Sequence, residues 1–360
     1  MKNNMLVILI VLFIAISLNH VVLANNNMLV IHITSTTAKS QSDNNCGFAI
    51  NEACANLKTA ISSYENHIHN NNNNKTYDTV TFQYHPGTYY PIGNYSNILL
   101  SQQHTSKIII EGTTNSDTII DLQKRKSCFI IIDGIQNIIL RNLHIKNGAG
   151  IDSSTHPIIS QKFNSKGGSL ILIGGTTAIL ENIIFTNSTL SGFGFGIQGG
   201  VFYIENSSPT FNKCQFIGAL SLQVCTFFIQ GGSPIFNDCL FDNSETNSKN
   251  QLGGGYGGFG GAVVPESDST SQFHRCIFNK CKGPYGGAID DGSNAKTKYV
   301  DCVFKNNIAN YGGAYYGFSK TITQFYNCHF INNTARSSGG AVFHSSSTNG
   351  TYANCLFENG

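Results

Sequence analysis

The sequence predicts an all-β chain wound as a single-stranded right-handed parallel β-helix, a solenoid with a short capping helix at its N-terminal end. Three observations carry this expectation. A six-residue phrase recurs as LRNLHI (140–145), LENIIF (180–185), FNKCQF (211–216), FNDCLF (236–241), FHRCIF (273–278), YVDCVF (299–304), FYNCHF (325–330) and YANCLF (352–357), with apolar residues at its first, fourth and sixth places. The fourth place reads Leu143, Ile183, Cys214, Cys239, Cys276, Cys302, Cys328 and Cys355, and the last three intervals are 26, 26 and 27 residues. Gly-Gly pairs precede a second apolar stretch in each unit, as in FGGAVV (259–264), YGGAID (285–290), YGGAYY (311–316) and SGGAVF (338–343). A period of this length means stacked units, and short strands with little helical signal make the economical unit one turn of a coil. Each residue type then lies above its own kind, one rung of ~4.8 Å away.

Taken in order, the elements fit that plan. Lys2 precedes the apolar run 5–18, and VLA at 22–24 supplies small residues, so residues 1–24 read as a secretory signal peptide. The run is 14 residues, short of the ~20 that span a bilayer, so no membrane span is expected in the mature chain. Residues 25–105 read as an N-terminal cap region. Within it Ala53, Leu57, Ala60, Ile61 and Tyr64 share one helical face over 51–64, and the Asn tract 70–74 reads as a loop. Strands are expected on both sides of Pro86-Gly87 and twice within 106–122, and the coil repeats are assigned to 106–360. A turn column reading Asn147, Asn187, Gly218, Asn243, Asn279, Asn306, Asn332 and Asn359 predicts an asparagine ladder, because Asn tolerates the left-handed corner. The last rung, 352–360, is expected to present an open edge, which leaves three expectations: the sequence is a fragment, a surface loop folds over the edge, or two copies pair end to end, with the first and last favoured.

The pairing of Gly-Gly-Ala with Phe-x-x-Asn in FKNNIANYGGAY and FINNTARSSGGAV resembles the repeat of the polymorphic outer membrane protein family. The likeness is strong over 259–343 and degenerate over 137–258. It implies a right-handed β-helix of the pectin-lyase type and a surface or secreted protein associated with adhesion. The C-terminal membrane barrel usual in that family is not carried over.

Composition narrows the chemistry. Only 12% of residues are charged and the net charge is +2, with no basic stripe, so nucleic acid is not an expected partner. Six of the eleven cysteines stand in one stacked column, where neighbours point the same way, so a buried reduced ladder is expected and no cofactor or metal site. Cys46 and Cys54 flank the start of the helix and could staple it. Secretion gives meaning to sequons at Asn74, Asn94, Asn187, Asn206 and Asn349; the sequon at Asn332 is held back as part of the ladder. Two places after the Gly-Gly-Ala alanine, Tyr203, Val264, Asp290, Tyr316 and Phe343 form a column expected to face outward, and Tyr203, Asp290, Tyr316 and Phe343 are the candidate ligand-binding residues. Exposed rings in register with a carboxylate suit a sugar chain. The resulting expectation is an extracellular or cell-surface protein for adhesion or glycan recognition, non-catalytic, with polysaccharide or a cell-surface ligand as partner. The alternative is a polysaccharide lyase or glycoside hydrolase of the same fold. Against it, Asp290 and Asp291 are consecutive in a strand and face opposite sides.

Overall fold

The computed structural model describes residues 28–35, 46–70, 77–90, 98–101, 107–124, 129–149, 168–190, 202–221, 227–246 and 260–358. Its backbone pairing is parallel throughout. Sheet A has eleven strands, from Met28–Ile33 to Asn349–Ala353; sheet B has ten, from Gly87–Tyr89 to Leu356–Glu358; sheet C has nine, from Ile98–Ser101 to Val342–His344. Each turn visits C, A and B in that order: Phe202–Glu205, Thr210–Asn212, Gln215–Ile217, and back to C at Phe227–Gln230. The coil is right-handed, the sense in which strands joined by a crossover pack back onto one sheet. Like residues sit on like residues, as Phe211 on Phe236, Phe216 on Phe241 and Phe202 on Phe227.

The six-residue phrase is two strands and a corner. Its third residue is left-handed in every coil from Asn142 onward, including Asn182 (φ 52°), Lys213 (53°), Asp238 (55°), Arg275 (53°), Asp301 (55°) and Asn327 (53°). One such residue turns the chain from sheet A to sheet B, and the cysteine just past it points into the lumen. The next corner uses Asn147, Asn187, Gly218, Asn243, Asn306 and Asn332, but in the coil of Phe278 it falls on Lys280 (φ 53°) and not on the expected Asn279. These corner residues are not the buried ladder. Asn332 is exposed, whereas its successor Asn333 is fully buried with Asn307. Asn307 Nδ2 donates to Asn333 Oδ1 at 2.9 Å and to the Phe278 carbonyl at 3.0 Å, and Asn333 Nδ2 donates to the Phe304 carbonyl at 2.9 Å. Side-chain amides that satisfy backbone groups of the preceding coil need this exact place, one residue beyond the turn.

The glycine pair serves two separate needs. Gly312 is left-handed (φ +62°), and a Cβ on Gly313 would lie 2.0 Å from the carbonyl oxygen of Gly340 in the next coil. The alanine that follows, Ala314, is fully buried.

Two ladders of rings fill the lumen. Phe211, Phe236, Phe273, Tyr299, Phe325 and Tyr352 rise along sheet A with centroids 4.7–5.1 Å apart. Phe185, Phe216, Phe241, Phe278, Phe304, Phe330 and Phe357 rise along sheet B at 4.6–5.4 Å. Between them runs the thiol column, unbridged: Cys214, Cys239, Cys276, Cys302 and Cys328 are buried and Cys355 half-buried. Each Sγ reaches a backbone carbonyl, Cys302 that of Phe273 at 3.4 Å. Cys281 is also free and buried.

At the N-terminal end the solenoid begins earlier than the sequence suggests. Met28–Ile33 and Thr79–Tyr84 pair as the first rungs of sheet A, so the region assigned as cap (25–105) contributes coils. Helix α1, Leu57–Asn70, starts later than the expected 51 because Asn56 caps it, its Oδ1 accepting from the Thr59 N–H at 3.0 Å. Leu57, Ala60 and Tyr64 are its buried face. Cys46 and Cys54 are joined, with Cα atoms 5.0 Å apart, and the Cys54 N–H donates to the His32 carbonyl of the first strand at 2.8 Å. Among the described residues no helix is long and apolar enough to cross a membrane. At the other end, Leu356 and Phe357 are exposed, 44% and 50%, although Phe330 and Phe304, which precede Phe357 in the ring ladder, are buried.

Candidate functional site

Sheet C is where the repeat brings chemically varied side chains together. Alternate residues of its strands enter the core: Phe202 and Ile204, Phe227 and Ile229, then Val263, Ile289 and Tyr315. The residues between them point outward and form one column, Ile131, Ile171, Tyr203, Phe228, Val264, Asp290, Tyr316 and Phe343. A second outward row, two residues on, reads Glu205, Gln230 and Glu266. All four candidate residues therefore lie on one face of one sheet, as the alternation requires.

Their exposure differs from the expectation. Tyr203 is 0% and Asp290 3% exposed, whereas Tyr316 and Phe343 are half-buried. The physical reason is clearest at Tyr203. Its ring stacks on Phe228 with centroids 6.1 Å apart, and its hydroxyl donates to Glu205 Oε2 at 2.9 Å and Gln230 Oε1 at 3.1 Å. Burial, then the hydrogen bond to Glu205, push this phenol well above its ordinary range, so it acts as a fixed donor holding the acidic row.

Toward the C-terminal coils the face becomes a cluster of rings. Tyr316 and Phe343 stack at 5.5 Å with planes 1° apart, Tyr285 lies 5.0 Å from Tyr316, and Tyr311 stacks on Tyr285 at 5.6 Å. Tyr311 also meets Phe343 edge-on at 5.7 Å. Burial and the neighbouring Asp290 charge raise the Tyr316 phenol. Sequence reasoning missed Tyr285 and Tyr311. The signal was present, since each stands immediately before a Gly-Gly pair, and the corner glycine turns it onto the sheet C side.

The electrostatics of the face are one-sided. Among the described residues, the sheet C strands carry Asp133, Glu205, Glu266 and Asp290 but no Lys or Arg. Asp291, next to Asp290, faces the lumen and is 0% exposed, as strand alternation demands. No group of three or more His, Cys, Asp or Glu converges as a metal site among the described residues. Of the sequon asparagines, Asn187, Asn206 and Asn349 are exposed, and so is Asn332, expected to be closed off in the ladder; Asn74 and Asn94 lie outside the described residues, as do Cys128, Cys225 and the signal segment.

No protein-family model and no curated protein matches the sequence. Solved structures to which the chain is similar include pectin methylesterase PemA from Erwinia chrysanthemi, at 12% identity and a TM-score of 0.46, with 89% of this chain and 92% of that one covered. A pectin methylesterase from Yersinia enterocolitica is similar at 12% identity and TM-score 0.38, covering 75% and 88%. Pectate lyase Pel9A is similar at 13% identity and TM-score 0.41, covering 89% and 78%. None of these three is an adhesion protein, so the adhesion half of the expectation gains nothing from them. Likenesses at this level carry no argument about activity, and the reading of the face rests on its own residues.

Proposed function

We propose that the protein handles polysaccharide, with a saccharide chain meeting the C-terminal coils of the sheet C side, where Tyr316 and Phe343 are half-buried while Tyr203 and Val264 in earlier coils are closed over. The observation that carries this is a half-buried four-ring cluster (Tyr285, Tyr311, Tyr316, Phe343) on the same side of the coil as a half-buried acidic and amide row (Glu205, Gln230, Glu266). Ring faces stack on the apolar face of a sugar, carboxylates and amides accept from its hydroxyls, and the regular rungs repeat the contacts along a polymer. Carboxylates without a cation on the same strands favour a neutral or esterified polymer over a polyuronate, whose like charges they repel.

A second, catalytic reading has its own observation. Glu205 and Glu266 stand two rungs apart, about 10 Å at the backbone, and flexible side chains close that to the ~6.5–9.5 Å used for inverting glycoside hydrolysis. In that reading one glutamate protonates the leaving oxygen and the other activates water. We place the repeat with the polymorphic outer membrane protein kind, and the protein outside the cell; glycans on the exposed sequons and end-to-end pairing through the terminal rung belong to the same proposal.

The test is a panel of methyl-esterified pectin, de-esterified polygalacturonate, xylan and a β-glucan, scored for both binding and release of reducing ends. Tyr316→Ala combined with Phe343→Ala should weaken binding at least tenfold with an unchanged circular dichroism spectrum. Glu266→Gln should abolish sugar release and spare binding if the face is catalytic. Wild-type affinity in the double variant would return the rings to ordinary surface packing.

A further inference from the structure

The lumen holds a carboxylate that neither reading uses. Asp291 is fully buried, and four hydroxyls donate to it: Tyr315 at 2.8 Å, Thr323 at 2.9 Å, Tyr299 at 3.4 Å, and Thr297. These donors come from three strands of two successive coils, since Thr297 and Tyr299 lie in Lys296–Val300 of the carboxylate's own turn, and Tyr315 in Tyr315–Gly317 and Thr323 in Ile322–Tyr326 of the next. Beyond Tyr315 the polar chain continues to His344, whose ring centroid is 5.4 Å away and whose Nε2 is 2.5 Å from the Tyr352 hydroxyl. The cage meets the ring cluster through the sheet C strands Ile289–Asp291, Tyr315–Gly317 and Val342–His344. Asp291 backs Asp290, Tyr315 backs Tyr316, and His344 follows Phe343.

We propose that the Asp291 cage is a pH-responsive clamp on the saccharide face: protonation of this lumenal carboxyl tightens the coils that carry Tyr316 and Phe343, so the face binds more firmly in acid. The sign follows from burial. Removal from water pushes the Asp291 carboxyl up from 3.8 to about 6, against the lowering effect of the hydroxyls. The folded state therefore takes up a proton near pH 6 that the unfolded chain takes up only near 3.8, and stability rises as pH falls through that window, by roughly 100-fold in the folding equilibrium. The other titratable groups facing the cage are Tyr299, Tyr315 and Tyr352, whose burial keeps them neutral, the thiols Cys302 and Cys328 at the A–B corner, and His344; Asp290 and Glu266 lie outside on the same sheet. Burial lowers His344 from 6.5, so its protonation in acid opposes the clamp. Substitution at Asp291 separates the two.

The clamp's effect on binding rests on the proposed saccharide face; its effect on stability does not. Thermal unfolding and binding of methyl-esterified pectin are to be followed from pH 7.5 to 4.5 in the wild type and in Asp291→Asn. The wild type should gain melting temperature and affinity as pH falls to 5, whereas Asp291→Asn should melt higher than wild type at pH 7.5 and lose the Asp291-dependent rise in both. An unaltered pH profile in Asp291→Asn overturns the clamp. A flattened melting profile with a persisting pH dependence of binding overturns its coupling to the face. Pectin bound by neither protein, with the melting profiles as expected, removes the saccharide reading and leaves the carboxyl as the stability sensor alone. If Asp291→Asn does not fold, Thr323→Val takes its place: losing one donor to the carboxylate should move the melting profile to higher pH, and no movement overturns the clamp.

Discussion

The same repeat builds two different interiors. In the coils from Phe202 to Phe278 the lumen is filled chiefly by stacked phenylalanines and by thiols that reach backbone carbonyls, and among the described residues no carboxylate is buried there. In the coils from Ile289 to Tyr352 it admits a carboxylate, two threonines, a histidine and the hydroxyl ends of three tyrosines. The backbone path is unchanged between them, in register from strand to strand. What differs is matching. Tyr299 continues the sheet A ring ladder of Phe273 while its hydroxyl turns toward Asp291, so the polar interior is assembled without interrupting the apolar one. The Asp291 carboxylate is tolerated in the lumen because both of its oxygens have hydroxyl donors.

That contrast can be broken most sharply by moving the carboxylate. Cys239→Asp puts one into the phenylalanine-lined coils with no hydroxyl to receive it, and folded protein should disappear altogether; recovery of folded Cys239→Asp would mean the column faces water. Phe236→Ala removes a ring packed between Phe211 and Phe273 and should cost about 3–5 kcal/mol by denaturant unfolding, with a smaller loss showing that the ladder closes over the gap. In the polar coils Asp291→Leu removes the shared acceptor and strands the hydroxyls of Tyr315, Thr297 and Thr323, costing about 2 kcal/mol at pH 7. Cys302→Ala deletes one sulfur from the column and should cost about 1 kcal/mol. Native-state alkylation should leave Cys214, Cys239, Cys276, Cys281, Cys302 and Cys328 unmodified and denaturation should expose all six, since burial drives thiols such as Cys276 and Cys302 away from the reactive thiolate.

Much of this was legible in the sequence, for a reason tied to stacking: a column that must be small and apolar in every coil prints itself as cysteine at nearly fixed intervals. The corner before it was not legible. Its occupants are Asn182, Lys213, Asp238, Arg275, Asp301 and Asn327, and the position is defined by backbone conformation, which several residue types satisfy at an exposed site. The asparagine ladder was misplaced by one because Asn306 and Asn307, like Asn332 and Asn333, are identical neighbours. Only the fold reveals that the first turns the chain and the second bonds the coil beneath. For the candidate site, strand alternation gave the direction of Tyr203, Asp290, Tyr316 and Phe343. Their burial depends on hydroxyl partners and ring neighbours, such as Glu205 and Tyr285, that no local pattern connects.

The second glycine of each corner has a historical implication. A Cβ on Gly261 would strike the carbonyl of Gly287, one on Gly287 that of Gly313, and one on Gly313 that of Gly340, at 2.0–2.2 Å. No member of this series can acquire a side chain while its neighbour keeps its place, so point substitution is a closed route. Copying a whole turn is an open one, because a duplicated unit arrives with its own glycine and lands on another. The spacing of 26, 26 and 27 residues among the last cysteines is what growth by tandem duplication leaves behind, and the protein's length is the quantity such a lineage is free to vary.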